Sequence, residues 1–213
     1  MSFRLAGVLA MFLAGISDAQ QAAPPSPPPS QRESSPPAPV SARVLLVGAH
    51  PDDEDTGLIA WLARGRGVET AYLSLTRGDG GQNLIGNELG EALGVIRTQE
   101  LLAARRIDGA HQFFTRAYDF GYSKSAAETF MHWPREELLG DVVKIVRAFR
   151  PDIVVAFFAE SGGHGQHQVS AILARQAYDV SSDTVRFPVR TFGRPWTPLK
   201  FYRTARFAPA AAT

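Results

Sequence analysis

His50-Pro51-Asp52-Asp53-Glu54 puts one imidazole and three carboxylates into five residues. The cluster follows an apolar run, Val44 to Val47, closed by Gly48, so it falls where a strand stops and a helix starts. Neighbouring carboxylates repel one another, and a strand end offers them no obvious ion-pair partner; a cation would account for them. Imidazole nitrogen and carboxylate oxygen both ligate divalent ions such as zinc. The carboxylate left over can then act as a base toward water. The plainer alternative is that Asp52 and Asp53 open a helix, where carboxylates favour the positive end of the dipole.

A second stretch, Gly162-Gly163-His164-Gly165-Gln166-His167, places two histidines three apart after an apolar run. With His50 they make three of the five histidines in the chain; His111 and His132 have no such context and read as surface or packing residues. A catalytic zinc keeps three protein ligands and one open position. His50, Asp53 and one of His164 and His167 supply that number. The other histidine is free to work as an acid or to stabilise an oxyanion, and Asp52 is free to be the base. This set fits hydrolysis of a carbonyl compound: an ester, an amide or an N-acyl group. The spacing alone does not choose between His164 and His167 as the ligand.

The flanking pattern alternates strand and helix. Strands are expected at 43–48, 68–74, 112–115, 153–158 and 199–203, and helices at 55–64, 88–106, 134–149 and 167–179. The helix at 88–106 carries Leu89, Leu93, Ile96, Leu101 and Leu102 at helical spacing. This order predicts an α/β fold, a Rossmann-like three-layer sandwich with a mostly parallel sheet. In such sheets ligands bind beyond the carboxyl ends of the strands. The segments 50–54, 77–81, 119–122 and 160–167 all follow strands, so the unusual polar loops converge on one sheet edge.

The chain has 213 residues, a net charge of +1 and no cysteine. The charge balance, with a pI of about 8.1, argues against a dedicated nucleic-acid surface. Without cysteine there is no disulfide and no thiolate ligand, so any metal rests on His, Asp or Glu. Residues 1–19 read as a signal peptide: Arg4, an apolar run over 5–16, then small Ser17 and Ala19. The apolar run is too short to remain as a membrane span. Residues 20–42, rich in Pro and Ser, read as a disordered linker, and 43–213 as the folded domain. The expectation is an exported protein, periplasmic or extracellular.

Taken together, the AHPDDE stretch at 49–54 and the late His-x-x-His resemble the LmbE-like, or PIG-L, zinc-dependent N-acetylglucosaminyl deacetylases. The resemblance runs from about residue 43 to 202. It includes LTRGDGGQN at 75–83, the helix start from Glu88 to Arg97, and Phe120-Gly121-Tyr122-Ser123. It implies that His50, Asp53 and His167 bind Zn2+, with Fe2+ or another divalent ion as an alternative. It further implies that Asp52 is the general base, that His164 stabilises the oxyanion and protonates the leaving amine, and that Arg97 and Asp119 hold the sugar or its aglycone. Tyr122 is the nearest stand-in for a tyrosine that some relatives place beside the late histidine pair. The substrate implied is an N-acetyl amino sugar. Where relatives often have an aspartate between the late histidines, this chain has Gln166, and Glu160 is the nearest carboxylate that could orient them. The chain ends soon after Tyr202 where relatives usually continue, so part of the acceptor pocket is expected to be missing.

Three rival readings follow from the same residues. One is an amidase acting on a larger acyl or sugar conjugate. Another is a non-catalytic sugar- or metal-binding module, against which Asp52 speaks, because a binder needs ligands but no base. The third is a nucleotide-binding domain; Gly78-Asp79-Gly80-Gly81 follows the second strand and does not form the G-x-G-x-x-G helix start.

Overall fold

The structure, a computed structural model, describes residues 41–81 and 83–204. The expected signal peptide and nearly all of the expected linker therefore lie outside the described residues. Five strands form one sheet: β1 Arg43–Gly48, β2 Glu69–Ser74, β3 His111–Phe114, β4 Ile153–Ala156 and β5 Lys200–Arg203. Their order is β3-β2-β1-β4-β5, and every adjacent pair is parallel. The helices are α1 Thr56–Ala60, which runs on into a π-helical turn Trp61–Gly65, then α2 Glu91–Asp108, α3 Ala126–His132, α4 Arg135–Phe149, α5 Gly165–Val180 and α6 Val189–Phe192.

Strand β1 is central, and Val44, Leu45, Leu46 and Val47 are all buried. A strand paired on both edges and covered on both faces has no solvent side, which is why its sequence is continuously apolar rather than alternating. Helices α1 and α2 touch each other, with α1 against β2 and α2 against β3; α4 and α5 touch each other, β1 and, for α5, β4. Right-handed crossovers put these two groups on opposite faces of the sheet. The expected α/β three-layer architecture is therefore the observed one. Among the described residues no helix is long and apolar enough to cross a membrane.

Three elements differ from the sequence reading: α2 in its bounds and buried face, and α3 and the short α6, which were not expected. Helix α2 begins at Glu91 and ends against Gly109, whose left-handed backbone (φ 81°) closes it with a hydrogen bond to the Arg105 carbonyl. Leu89 and Ile96, expected on its apolar stripe, are exposed, and the buried face is Leu93, Arg97, Leu101, Arg105 and Asp108. The two arginines displace leucines because each meets carboxylate: Arg97 reaches Asp52 at 2.7 Å, and Arg105 reaches Asp108 at 2.7 Å. Helix α3 was not expected, although its start is encoded. The Ser125 hydroxyl accepts from the Glu128 N–H (3.2 Å), and the Glu128 carboxylate accepts from the Lys124 N–H (2.7 Å), a reciprocal arrangement close to a capping box.

In the order β3-β2-β1-β4-β5 the chain changes winding direction between β1 and β4. A crevice opens there beyond the carboxyl ends of the strands. The segment after β1 carries His50 to Glu54, and the segment after β4 leads into α5 with His164 and His167.

Candidate metal and catalytic site

The loop after β1 is held by side chains on and just after β2 before any ligand is considered. The Tyr72 hydroxyl donates to the His50 carbonyl (2.7 Å), and the Thr76 hydroxyl donates to the Ala49 carbonyl (3.0 Å). Gly48 is required here, because a Cβ would sit 2.5 Å from the Tyr72 hydroxyl. Neither Asp52 nor Asp53 caps α1; that place belongs to Asp55, which accepts from the Leu58 N–H at 3.0 Å. The plainer helix-start reading of the aspartate pair is thereby removed. Asp53 instead turns back, and its Oδ2 accepts from the N–H groups of Ala49 and His50, both at 2.8 Å.

Three ligating atoms then meet. His167 Nε2 lies 3.2 Å from His50 Nδ1 and 3.2 Å from Asp53 Oδ1, and His50 Nδ1 lies 3.4 Å from Asp53 Oδ2. Ligands about 2.0–2.2 Å from a tetrahedral ion stand about 3.4 Å from one another. His50, Asp53 and His167 therefore form a cluster that could hold one metal ion. The electrostatics agree. Burial alone would push the Asp53 carboxyl up, but hydrogen bonds from His167 and His50 reverse this and hold it well below the usual carboxylate range. Burial works against charge on His50, yet the Asp53 carboxylate, with Asp119 and the Gln166 hydrogen bond, outweighs it and raises the imidazole pKa. A carboxylate facing two imidazoles in a buried space makes a field that a dication satisfies.

Each imidazole is oriented from behind. His50 Nε2 lies 2.8 Å from Gln166 Oε1, an amide oxygen that can only accept, so Nε2 carries the hydrogen and Nδ1 presents its lone pair to the cluster. The fully buried Gln166 amide nitrogen in turn donates to the Gly121 carbonyl (2.7 Å) and to Asp119 Oδ1 (3.3 Å). The His167 ring lies flat on Phe158, 3.8 Å between centroids. His164 is the residue before α5, and its Nδ1 lies 3.1 Å from the Ser123 carbonyl. Gly165 lets α5 start this close to the 123–125 segment, since a Cβ would run into the Ser125 carbonyl. Glu160, the carboxylate expected to orient the late histidines, is exposed; the orienting groups are Gln166, Asp53 and the Ser123 carbonyl. Gln166→Ala is expected to weaken metal affinity by about 10–100-fold, read by competition with a chromogenic chelator. Unchanged affinity would mean that Asp53 alone fixes the His50 ring.

The cluster opens into a cavity of about 430 Å³ lined also by Asp52, Arg97, Asp119, Tyr122 and His164. All eight residues singled out from the sequence thus share one cavity. Their situations differ. Asp52 has a side chain 59% exposed and ion-paired with Arg97. Arg97 is buried and donates to Asp52 Oδ2 (2.7 Å) and to the Pro51 carbonyl (2.6 Å), so its guanidinium is directed at the base candidate. Tyr122 is 71% exposed and stacks on His164 at 5.0 Å. Burial lowers the His164 pKa, with the neighbouring imidazoles adding to the effect and the Ser123 hydrogen bond opposing it. His111 lies against Phe149, and His132 against Phe120, away from the cavity. The residues that sequence reasoning missed are Gln166 and Ser123, neither of which titrates. Their signal was position: Gln166 stands between the two late histidines, and Ser123 ends the Phe-Gly-Tyr-Ser stretch.

Known proteins share both sequence and fold. The family described as PIG-L, GlcNAc-PI de-N-acetylase, matches residues 45–178. A mycothiol S-conjugate amidase of Streptomyces coelicolor is 27% identical over 180 residues, covering 78% of this chain and 61% of the relative. A 1D-myo-inositol 2-acetamido-2-deoxy-alpha-D-glucopyranoside deacetylase of Thermobispora bispora is 32% identical over 184 residues, covering 77% and 59%. The chain thus spans about three fifths of the length of these curated relatives. Among solved structures, the N,N'-diacetylchitobiose deacetylase of Pyrococcus horikoshii superposes with a TM-score of 0.57 at 23% identity, covering 80% of this chain and 63% of that one. A 4-carboxy-2-hydroxymuconate hydratase of Pseudomonas putida also reaches 0.57, at 18% identity over 75% and 64%. At these identities the two structures speak for the fold alone. The family match over most of the folded part of the chain, joined to the parallel sheet and the loop motifs it positions, decides the relationship: this chain belongs to the PIG-L family.

Proposed function

We propose that the protein is a zinc-dependent hydrolase that removes the acetyl group from an N-acetylglucosamine-type conjugate. The observation that carries this reading is the division of labour in one cavity. His50, Asp53 and His167 form the ligand triangle, while Asp52 and His164 line the same space outside it. The names of the relatives, an amidase and a deacetylase of acetamido sugars, support amide hydrolysis.

When bound by His50, Asp53 and His167, a zinc ion supplies Lewis acidity that polarises a carbonyl and makes water a better acid. The nitrogen and oxygen donor set also suits Fe2+. Asp52, anchored by Arg97, takes a proton from the water that attacks the acetyl carbon. His164 has its Nδ1 engaged by the Ser123 carbonyl, which leaves Nε2 for the substrate. In its protonated form it donates to the developing oxyanion and then to the leaving amine. The C–N bond breaks, and acetate and a free amino sugar result. Asp119 and Tyr122 line the side of the cavity where sugar hydroxyls and ring faces would lie.

The test is acetate release from N-acetylglucosamine and its simple glycosides. Zinc-loaded protein is expected to release acetate, chelation to stop it, and restored zinc to recover it. Hydrolysis of larger acyl conjugates only, with no acetate from any N-acetyl sugar, would replace this reading with the amidase one, which the Streptomyces coelicolor relative favours. The leader-like residues 1–19 support export, in which case the ion is acquired outside the cytoplasm.

A further inference from the structure

Asp52 and Arg150 are the non-glycine residues with positive φ among the described residues. Arg150 merely ends α4, in the left-handed conformation common at helix ends (φ 59°, ψ 55°). Asp52, at φ 99°, ends nothing, and such a value is costly for a residue with a Cβ. The contacts around it account for the conformation. The Pro51 carbonyl and the Asp52 N–H belong to one rigid peptide plane. Arg97 Nη2 donates to that carbonyl at 2.6 Å, and Glu54 Oε2 accepts from that N–H at 2.9 Å. A cation sits at the oxygen end of the peptide dipole and an anion at the hydrogen end. Flipping the peptide by 180° would aim its carbonyl at Glu54 and its N–H at Arg97. The same flip would take Asp52 from φ 99° to about −80°, an ordinary value. The charges thus select the strained orientation over the relaxed one. Glu54 is itself held: its side chain is 6% exposed and lies 3.6 Å from Arg105, which Asp108 fixes at 2.7 Å.

We propose that Glu54 is a positioning residue for Asp52, and that Glu54 and Arg97 together clamp the Pro51–Asp52 peptide in the orientation that presents the Asp52 carboxylate to the cavity. The functional consequence rests on the reading of Asp52 as the base, but the clamp does not, and the two are tested separately. The first measurement is thermal melting and needs no substrate. At an ordinary φ a glycine variant melts below the alanine variant, by about 1–4 °C for a domain of this size. Asp52→Gly is expected to melt above Asp52→Ala by about 2 °C or more, the reverse order, because only alanine bears the strain. Adding Glu54→Gln to both is expected to restore the ordinary order. A glutamine amide can accept from the N–H or donate to the carbonyl, so it no longer discriminates between the two peptide orientations.

The second measurement is kinetic. Glu54→Gln alone is expected to lower kcat about tenfold or more, with KM and the metal content per chain unchanged. Alanine melting above glycine at position 52 in the unaltered background would overturn the clamp. Glycine still melting above alanine in the presence of Glu54→Gln would overturn the part assigned to Glu54. Loss of metal, or a rise in KM with kcat intact, would overturn its positioning role. If the protein proves not to be a deacetylase, the melting order still decides the clamp.

Discussion

Asp52→Asn is expected to lower kcat for acetate release by about 10²–10⁴-fold, the range that a general base contributes, while metal content stays near one ion per chain. The substitution keeps the shape of the side chain and an oxygen for Arg97, and removes the negative charge and with it the capacity to take a proton. Metal is retained because Asp52 stands outside the triangle of His50, Asp53 and His167. Asp53→Asn should do the opposite. Its carboxylate is in contact with both ligand imidazoles, and a neutral amide there forfeits the charge that balances a dication. Metal analysis of the two purified variants reads the contrast directly. Metal loss in Asp52→Asn with retention in Asp53→Asn would reverse the two assignments.

Arg147→Met is expected to have the largest effect on stability, about 3–5 kcal/mol, seen as a fall in melting temperature of about 10 °C for a domain of this size. The Arg147 side chain is buried on α4, and its guanidinium donates to four carbonyls: Ser181 and Phe187 at 2.8 Å, Asp183 at 2.9 Å and Gly193 at 3.1 Å. All four lie between α5 and β5, on either side of the short α6, and this one side chain ties that segment to α4. Methionine keeps much of the stem but removes the guanidinium; the Ser181 and Asp183 carbonyls then keep only the Trp196 and Phe187 N–H groups (both 3.2 Å), and the Phe187 and Gly193 carbonyls lose their donor. A lysine cannot replace the fork, since one ammonium does not reach four acceptors spread along the segment. A fall of only a degree or two would mean that water enters and satisfies the carbonyls.

The inner strands were legible because they are covered on both faces, whereas the edge strands β3 and β5 are partly exposed. The runs at Val44 to Val47 and Ile153 to Ala156 could hardly be anything but buried strands. The convergence of polar loops was legible for the same reason, since parallel strands place all their exits on one edge. Helix α2 was misjudged in detail because apolar periodicity cannot foresee a buried arginine: Arg97 and Arg105 occupy the inner face only because partners distant in sequence await them there. Likewise Gln166 gave no chemical signal of its own. Its importance lies in what it touches, His50, Gly121 and Asp119, and those contacts exist only once α5 and the loop after β3 are both folded. The eight residues of the candidate site were readable individually, whereas the pairing of Arg97 with Asp52 was not.

The placement of β1 beside β4 has a consequence for how an ion would be acquired at this site. His50 and His167 stand 117 positions apart in the chain, and they meet only after β4 has docked on β1. A nascent chain that has folded no further than β3 owns His50 and Asp53 but lacks the third ligand, and two ligands retain an ion poorly. Metal capture is therefore coupled to closing one of the longest loops in the sheet, a slow and entropically expensive step. An ion held there would tie the ends of that loop together and add its binding free energy to the native state alone. The metal thereby acts as a checkpoint on topology: a chain that keeps its ion through purification has already brought its two halves into register.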